Sequence, residues 1–268
     1  MRVRFRRSGV RAFDLVVGAD GLNSNVRKLA FGPRQQFEME LGYALAAFEA
    51  KGYRPRDEDV YVIYSEPGRM IGRVALHDDR TLFLFVFATD GDALPTPLDL
   101  GAQKAVLFEK YGAGKWECPQ ILDGLVRTQE LYFDRVAQIK MPNWSRCRIA
   151  LVGDAAFCVS LMAGQGAALS MAAAYVLAGE LATAAGRHDE AFEKYETLLR
   201  AFIETKQKGA QRFSAAFAPK TRLGLFLRNQ VIRACAVPGL AKFAFGREIA
   251  DSLQLPDYRW PALARAAA

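Results

Sequence analysis

Arg148-Ile-Ala-Leu-Val-Gly-Asp-Ala-Ala156, continued after Phe157 to Ala163 by Gly164-Gln-Gly-Ala167, is the stretch on which the fold turns. The near-continuous apolar run Arg148 to Val152 has the pattern of a strand in a sheet covered on both faces, and it stops abruptly at Gly153-Asp154. The alanine- and leucine-rich segment from about Ala167 to Ala185 predicts a helix able to pack closely on a sheet or on another helix. A carboxylate at a strand's end, here Asp154, can accept hydrogen bonds from ligand hydroxyls. The small residues around Gly164 let a flat ring lie against backbone, and the free N–H groups of the helix start favour negative charge. Taken alone, an ordinary strand-loop-helix connection explains the same residues.

The arrangement occurs twice. Phe13-Asp-Leu-Val-Val17 predicts a short strand ending at Gly18, and Gly18-Ala-Asp-Gly-Leu-Asn-Ser-Asn-Val-Arg27 carries the chain into a helix from Asn25 to Phe31 that stops at Gly32-Pro33. Asn23-Ser24 is a capping signal, and Gly18 and Gly21 permit a tight turn and a close backbone approach. Asp20 offers a fixed acceptor, and Arg27 is expected to be available to a phosphate or carboxylate. For one junction a capped tight turn is the plainer reading. Two in this order are harder to dismiss.

Outward from the two junctions the pattern changes. Residues 2 to 6 alternate as a strand before the Ser8-Gly9 turn. Ala44 to Ala50, Val60 to Ser65, Arg69 to Leu76 and Thr81 to Thr89 read as an antiparallel sheet; Asp99 to Tyr111 and Pro119 to Thr128 as helices; and Glu130 to Lys140 as a returning strand. Glu190 to Lys208 is an amphipathic helix, and the chain stays mostly helical to about Leu255 with breaks at Pro219 and Pro238. The expected organisation is residues 1–36 and 142–186 as two parts of one domain, 37–141 as a separate substrate domain, and 187–268 as a C-terminal helical region. Phe48, Tyr61, Phe83, Phe85 and Phe87 are candidate pocket walls, although alternating aromatics usually fill the buried face of a sheet. Arg73 and His77 are too weakly marked to be catalytic, and no catalytic residue is assigned.

Composition narrows the function classes. With 51% apolar and 11% aromatic residues among 268, the chain can bury a substantial core. Its formal charge of +7 is spread along the sequence and interleaved with acids, so nucleic-acid binding is not expected. The four cysteines form no CxxC pair and the two histidines lie far apart, so free thiols and no metal are expected. The basic N-terminus is not followed by a hydrophobic segment, and a cytoplasmic location is expected. Lys220 to Lys242 is basic and amphipathic, with Leu223, Leu225, Phe226, Leu227, Val231 and Ile232. Such a stretch usually packs on its own domain, so membrane contact is disfavoured.

The two motifs, Gly18-Ala-Asp-Gly-x-x-Ser24-x-Val-Arg27 and Gly153-Asp-Ala-Ala156, together resemble those of the single-component FAD-dependent aromatic hydroxylases. Leu131 to Lys140, Trp144, Arg148 to Asp154 and the Gly164-Gln-Gly166 helix look closest to the tetracycline-monooxygenase-like branch. The resemblance implies an α/β fold: an incomplete FAD-binding Rossmann-like domain with an inserted antiparallel-sheet substrate domain and a C-terminal helical region. It implies FAD as cofactor, NADH or NADPH as co-substrate, O2 as oxidant, and a small aromatic or polyketide-like molecule as the substrate hydroxylated. The residues carried over as cofactor-binding are Gly18, Asp20, Gly21, Arg27, Gly153, Asp154, Ala155, Gly164, Gln165, Gly166 and Ala167. The protein's part in such chemistry is positional, with an apolar sheet expected to face the flavin. Two departures stand out. The family's GxGxxG turn for the pyrophosphate has no counterpart among these residues, and Leu161 stands where the family usually has proline. The alternatives are a non-catalytic remnant or one piece of a split flavoprotein, with another chain supplying the missing unit. Exposed apolar edges are then expected on the Phe13 to Val17 and Arg148 to Val152 strands.

Overall fold

The computed structural model describes residues 1–89, 91, 94, 95, 99–160, 164–235 and 253–258. In chain order it begins with β1 (Arg2–Phe5), β2 (Gly9–Ala12), β3 (Val16–Gly18) and α1 (Asn25–Ala30), then a single 3-10 turn at Arg34–Gln36. There follow β4 (Glu38–Lys51), β5 (Tyr61–Glu66), β6 (Arg69–Ala75), β7 (Arg80–Ala88), α2 (Leu100–Tyr111), α3 (Cys118–Arg127) and β8 (Tyr132–Ile139). The chain continues through β9 (Ser145–Arg146), β10 (Ile149–Leu151), α4 (Asp154–Phe157), α5 (Gly166–Thr183), α6 (His188–Phe217) and α7 (Arg222–Cys235). The break at Pro219 falls where expected, between α6 and α7; the one at Pro238, like Leu161, lies outside the described residues.

The chain divides into two compact units, residues 1–39, 137–210 and 251–268 against 40–136 and 211–250. The C-terminal helical region expected as one piece, 187–268, is thus shared between the two. In the first unit β10 is central, parallel to β3 on one side and antiparallel to β9 on the other. Ala150 and Leu151 are fully buried because both edges are paired and α5 and α6 contribute to the same core. The exposed apolar edge expected on 148–152 is therefore absent. On the other segment, only Val16 to Gly18 is strand; Val17 at 44% and Phe13 at 38% exposure keep an apolar edge there. Helix α5 buries the stripe Leu169, Ala173, Val176 and Leu177, spaced for one face of a 3.6-residue helix. It is also the one helix among the described residues long and apolar enough, by length and composition, to cross a membrane. Tyr195 of α6 donates its hydroxyl to the Leu151 carbonyl at 3.1 Å, tying that helix to the central strand.

The second unit is built on the five-stranded sheet β5-β6-β7-β4-β8. The register Val62↔Arg73↔Phe83↔Phe48 and Tyr64↔Ile71↔Phe85↔Ala46 puts these residues on one face, since cross-strand partners share a side. That face carries the core with α2 and α3: Phe83 and Phe85 are fully buried, and Phe48 and Phe87 nearly so, beside Leu107, Tyr111, Ile121 and Leu125. Four of the five candidate pocket walls are thus core packing. The alternation that marks them in sequence says that a face is buried, not what buries it. Tyr61 alone lies on the opposite face, with Ile63, Gly72 and Leu84. Arg73 is buried in an ion-paired network with Asp57 (2.5 Å) and Glu117 (3.5 Å), and its guanidinium lies 5.6 Å from the Trp116 ring centroid. His77 is exposed at a turn.

Candidate functional site

The first unit brings the second motif together at the end of β10. Gly153 adopts φ 63°, and a side chain there would meet Ser170 Oγ of α5 at 2.5 Å, so only glycine lets the strand turn this close to the helix. Asp154 and Ala155 then open the short helix α4, and Ala155 is fully buried. Gly166, the first residue of α5, faces Asp154: a Cβ on it would lie 3.7 Å from the carboxyl Oδ1. Gln165 caps α5 without a side-chain hydrogen bond, which leaves the first N–H groups of an 18-residue helix unclaimed by any side-chain cap. Gly164 has φ 66° and open space where a side chain would be. Ala167, in the first turn, is exposed.

The electrostatics of this junction are those of a group held out of water. Burial raises the Asp154 carboxyl above the usual carboxylate range, opposed only by the nearby Cys158 thiol, whose Sγ donates to the Ala137 carbonyl at 3.8 Å. Burial, and next the Asp154 carboxylate, push the Cys158 thiol up to about 12, so it stays protonated. The backbone leading into the glycine pair is held firmly. Gln207 of α6 donates from Nε2 to the carbonyls of Ile139 (2.8 Å) and Cys158 (3.2 Å), while Gln138 donates to Val159 (2.7 Å) and to Gln207 itself (2.8 Å). Ser160 is buried with φ 133°, a backbone conformation that costs a non-glycine residue energy and persists only where its surroundings enforce it. Neither glutamine carries a sequence signal, because each is defined by carbonyls far away in the chain.

The first motif is arranged differently. Asp20 accepts from Ser24 Oγ (2.5 Å) and from the backbone N–H groups of Asn25 (2.7 Å) and Val26 (3.0 Å), and Ser24 Oγ accepts from Arg27 N at 2.9 Å. Burial would raise the Asp20 pKa, but these hydrogen bonds together hold it below the ordinary value. Gly18 is required by packing, since its Cβ would lie 2.6 Å from Leu151 and 2.9 Å from Val26; Gly21 is required by its φ of 74°. Arg27 overturns an expectation. Its side chain is 1% exposed and its terminal nitrogens donate to the carbonyls of Leu22 (2.5 Å) and Ala155 (2.9 Å). Two of its three nitrogens are thus engaged within the fold, while the buried Nε has no hydrogen-bond partner among the described residues. The guanidinium fastens the first motif to the second across 128 residues of sequence, a role invisible without the fold. Arg34, absent from the sequence reading, bonds to Asn23 and Glu38 and lies close enough to Cys158 to act on it.

Comparison with known proteins gives the family. The FAD binding domain family matches residues 2–207. An uncharacterized protein of Mycobacterium tuberculosis (strain CDC 1551 / Oshkosh) is 36% identical over 207 residues, 77% of this chain and 55% of that protein. A flavin-dependent monooxygenase from an unknown prokaryotic organism is 31% identical over 257 residues, 96% of this chain and 64% of that protein. The crystal structure of tetracycline destructase Tet(55) superimposes with a TM-score of 0.78 at 28% identity, covering 96% of this chain and 66% of that one. The chain spans between about half and two thirds of the length of these curated relatives. Matched over residues 2–207 and carrying both glycine junctions in order, the chain belongs to the FAD binding domain family.

Proposed function

We propose that this chain forms the ribityl- and ring-side part of the FAD site of a flavin-dependent monooxygenase, which uses NADH or NADPH and O2 to hydroxylate an aromatic or polyketide-like small molecule in the cytoplasm. The observation that carries the reading is the Asp154 carboxyl, partly desolvated and set beside the uncapped glycine start of α5. These residues fit the group. Asp154 would accept from the ribityl hydroxyls, the open Gly164 would let the flat ring approach backbone, and the α5 N-terminus would favour negative charge on the ring's pyrimidine edge. When bound, FAD supplies electron transfer from the nicotinamide and the activation of O2. The protein's own residues orient: Arg27 keeps the two junctions in register, Gln138 and Gln207 hold the Val159 and Cys158 carbonyls, and Cys158 stays a neutral thiol. The names of the relatives, a flavin-dependent monooxygenase and a tetracycline destructase, support this reaction class and a multi-ring substrate.

The test is oxidation of NADH and of NADPH by the chain supplied with FAD, with and without a tetracycline as trial substrate. FAD-dependent oxidation stimulated by the phenolic compound is expected. None with either nicotinamide would remove the catalytic reading.

A further inference from the structure

Helix α7 is inside out for a helix of a compact unit. Leu223, Phe226, Leu227 and Val231 fall on one face at the 3-4 spacing of an amphipathic helix, and that face points to solvent: with Ile232 they are between 52% and 68% exposed. Of the six apolar residues named for this stretch, Leu225 is half-buried and the other five are exposed; residues 236–242 lie outside the described residues. On β5, which α7 contacts, Tyr61 and Ile63 are 45% and 40% exposed. Five large side chains exposed within ten residues exceed the scattered apolar exposure normal on a protein surface, and so mark a docking face.

Charge selects the occupant. From Pro219 to Cys235 the chain has four cations, Lys220, Arg222, Arg228 and Arg233, and no carboxylate. At the N-terminal end of α7 a cavity of about 510 Å³ is lined by Lys220 and Arg222 together with Arg69 and Lys110. Its one carboxylate, Glu66, is already engaged by Arg69 and by the Tyr64 hydroxyl. A cavity lined by four cations, one of them paired with Glu66, thus adjoins an outward apolar stripe and is roomy enough to admit a phosphate headgroup. Pairing with a second copy through this face would set arginine against arginine. We infer that α7 docks this protein on an anionic lipid bilayer, its leucines and Phe226 entering the headgroup and acyl boundary while the cavity holds a lipid phosphate.

The experiment is co-sedimentation of the full chain with vesicles of phosphatidylcholine alone and of phosphatidylcholine with phosphatidylglycerol. Binding is expected only to the second and should weaken as salt rises. Arg222→Gln is expected to lower the apparent partition coefficient about fivefold, and Leu227→Glu to abolish sedimentation while circular dichroism stays unchanged. Inorganic phosphate should compete only weakly, because it lacks the acyl boundary that the apolar stripe requires. No sedimentation with anionic vesicles, equal sedimentation with both vesicle types, or binding that survives Leu227→Glu would overturn the inference. So would a dimer in solution that Leu227→Glu dissolves, since a second copy would then cover the face.

Discussion

The two glycine junctions of the first unit share a sequence pattern and differ in how their carboxylates are satisfied. Asp20 receives one hydroxyl and two backbone N–H groups, and is held below its ordinary pKa. Among the described residues Asp154 receives none of these; burial moves it the other way, beside a helix start that Gln165 does not cap with its side chain. Equal motifs therefore do unequal work. In the first junction Asp20 and Ser24 are spent on their own turn, and Arg27 bonds to Ala155. The second keeps an acceptor, a helix start and an open glycine facing outward, the set a hydroxyl-rich, ring-bearing ligand would complete.

Breaking the link between the junctions should cost most. Arg27→Ala leaves the Leu22 and Ala155 carbonyls without their charged donor and opens a cavity, so a loss of about 3 kcal/mol or more is expected in denaturant unfolding. An unchanged midpoint would mean that the two motifs stand independently. Gly153→Ala comes next, at about 2 kcal/mol, because it forces a side chain into φ 63° and against Ser170. The double variant with Ser170→Gly should recover the steric part only.

The carboxylates themselves should differ in sign. A depressed folded pKa means that Asp20 contributes stability above the ordinary carboxylate range and loses it as pH falls through the lowered value. Asp20→Ala should thus cost about 1 kcal/mol at neutral pH, as the loss of a helix-start acceptor does, and less in acid. A raised folded pKa means the reverse for Asp154: its contribution is complete below the ordinary range and is lost as pH rises through the raised value. Asp154→Asn should therefore raise the melting temperature slightly at neutral pH, with the advantage vanishing in acid. A destabilised Asp154→Asn would show that the carboxylate is structural, as at Asp20, and would erase the contrast.

How much of this was legible in the sequence follows from the range of the interactions. The strands of the sheet show in the alternation of Thr81 to Thr89, and α1 in its cap Ser24, because both signals are local. Which face of the sheet meets the helices is a long-range outcome, so Phe83, Phe85 and Phe87 could be read as pocket walls although α2 and α3 cover them. Arg27 looked like a free cation because its partner lies at Ala155. The amphipathicity of α7 was plain, but the direction of its apolar face was not. At the candidate site, the positions of Gly153, Asp154, Gly164 and Gly166 were legible, while the supports Gln138 and Gln207 were not, since glutamine's role there is set by carbonyls of Ile139, Cys158 and Val159.

The central claim is that the second junction, not the first, is open to the flavin. The most direct measurement is the visible absorption of the chain after incubation with FAD and removal of unbound cofactor, beside Asp154→Asn treated identically at neutral pH. Flavin bands retained by the native chain and lost from a variant at least as stable are the predicted result. A colourless native chain, or equal flavin in both, would contradict it.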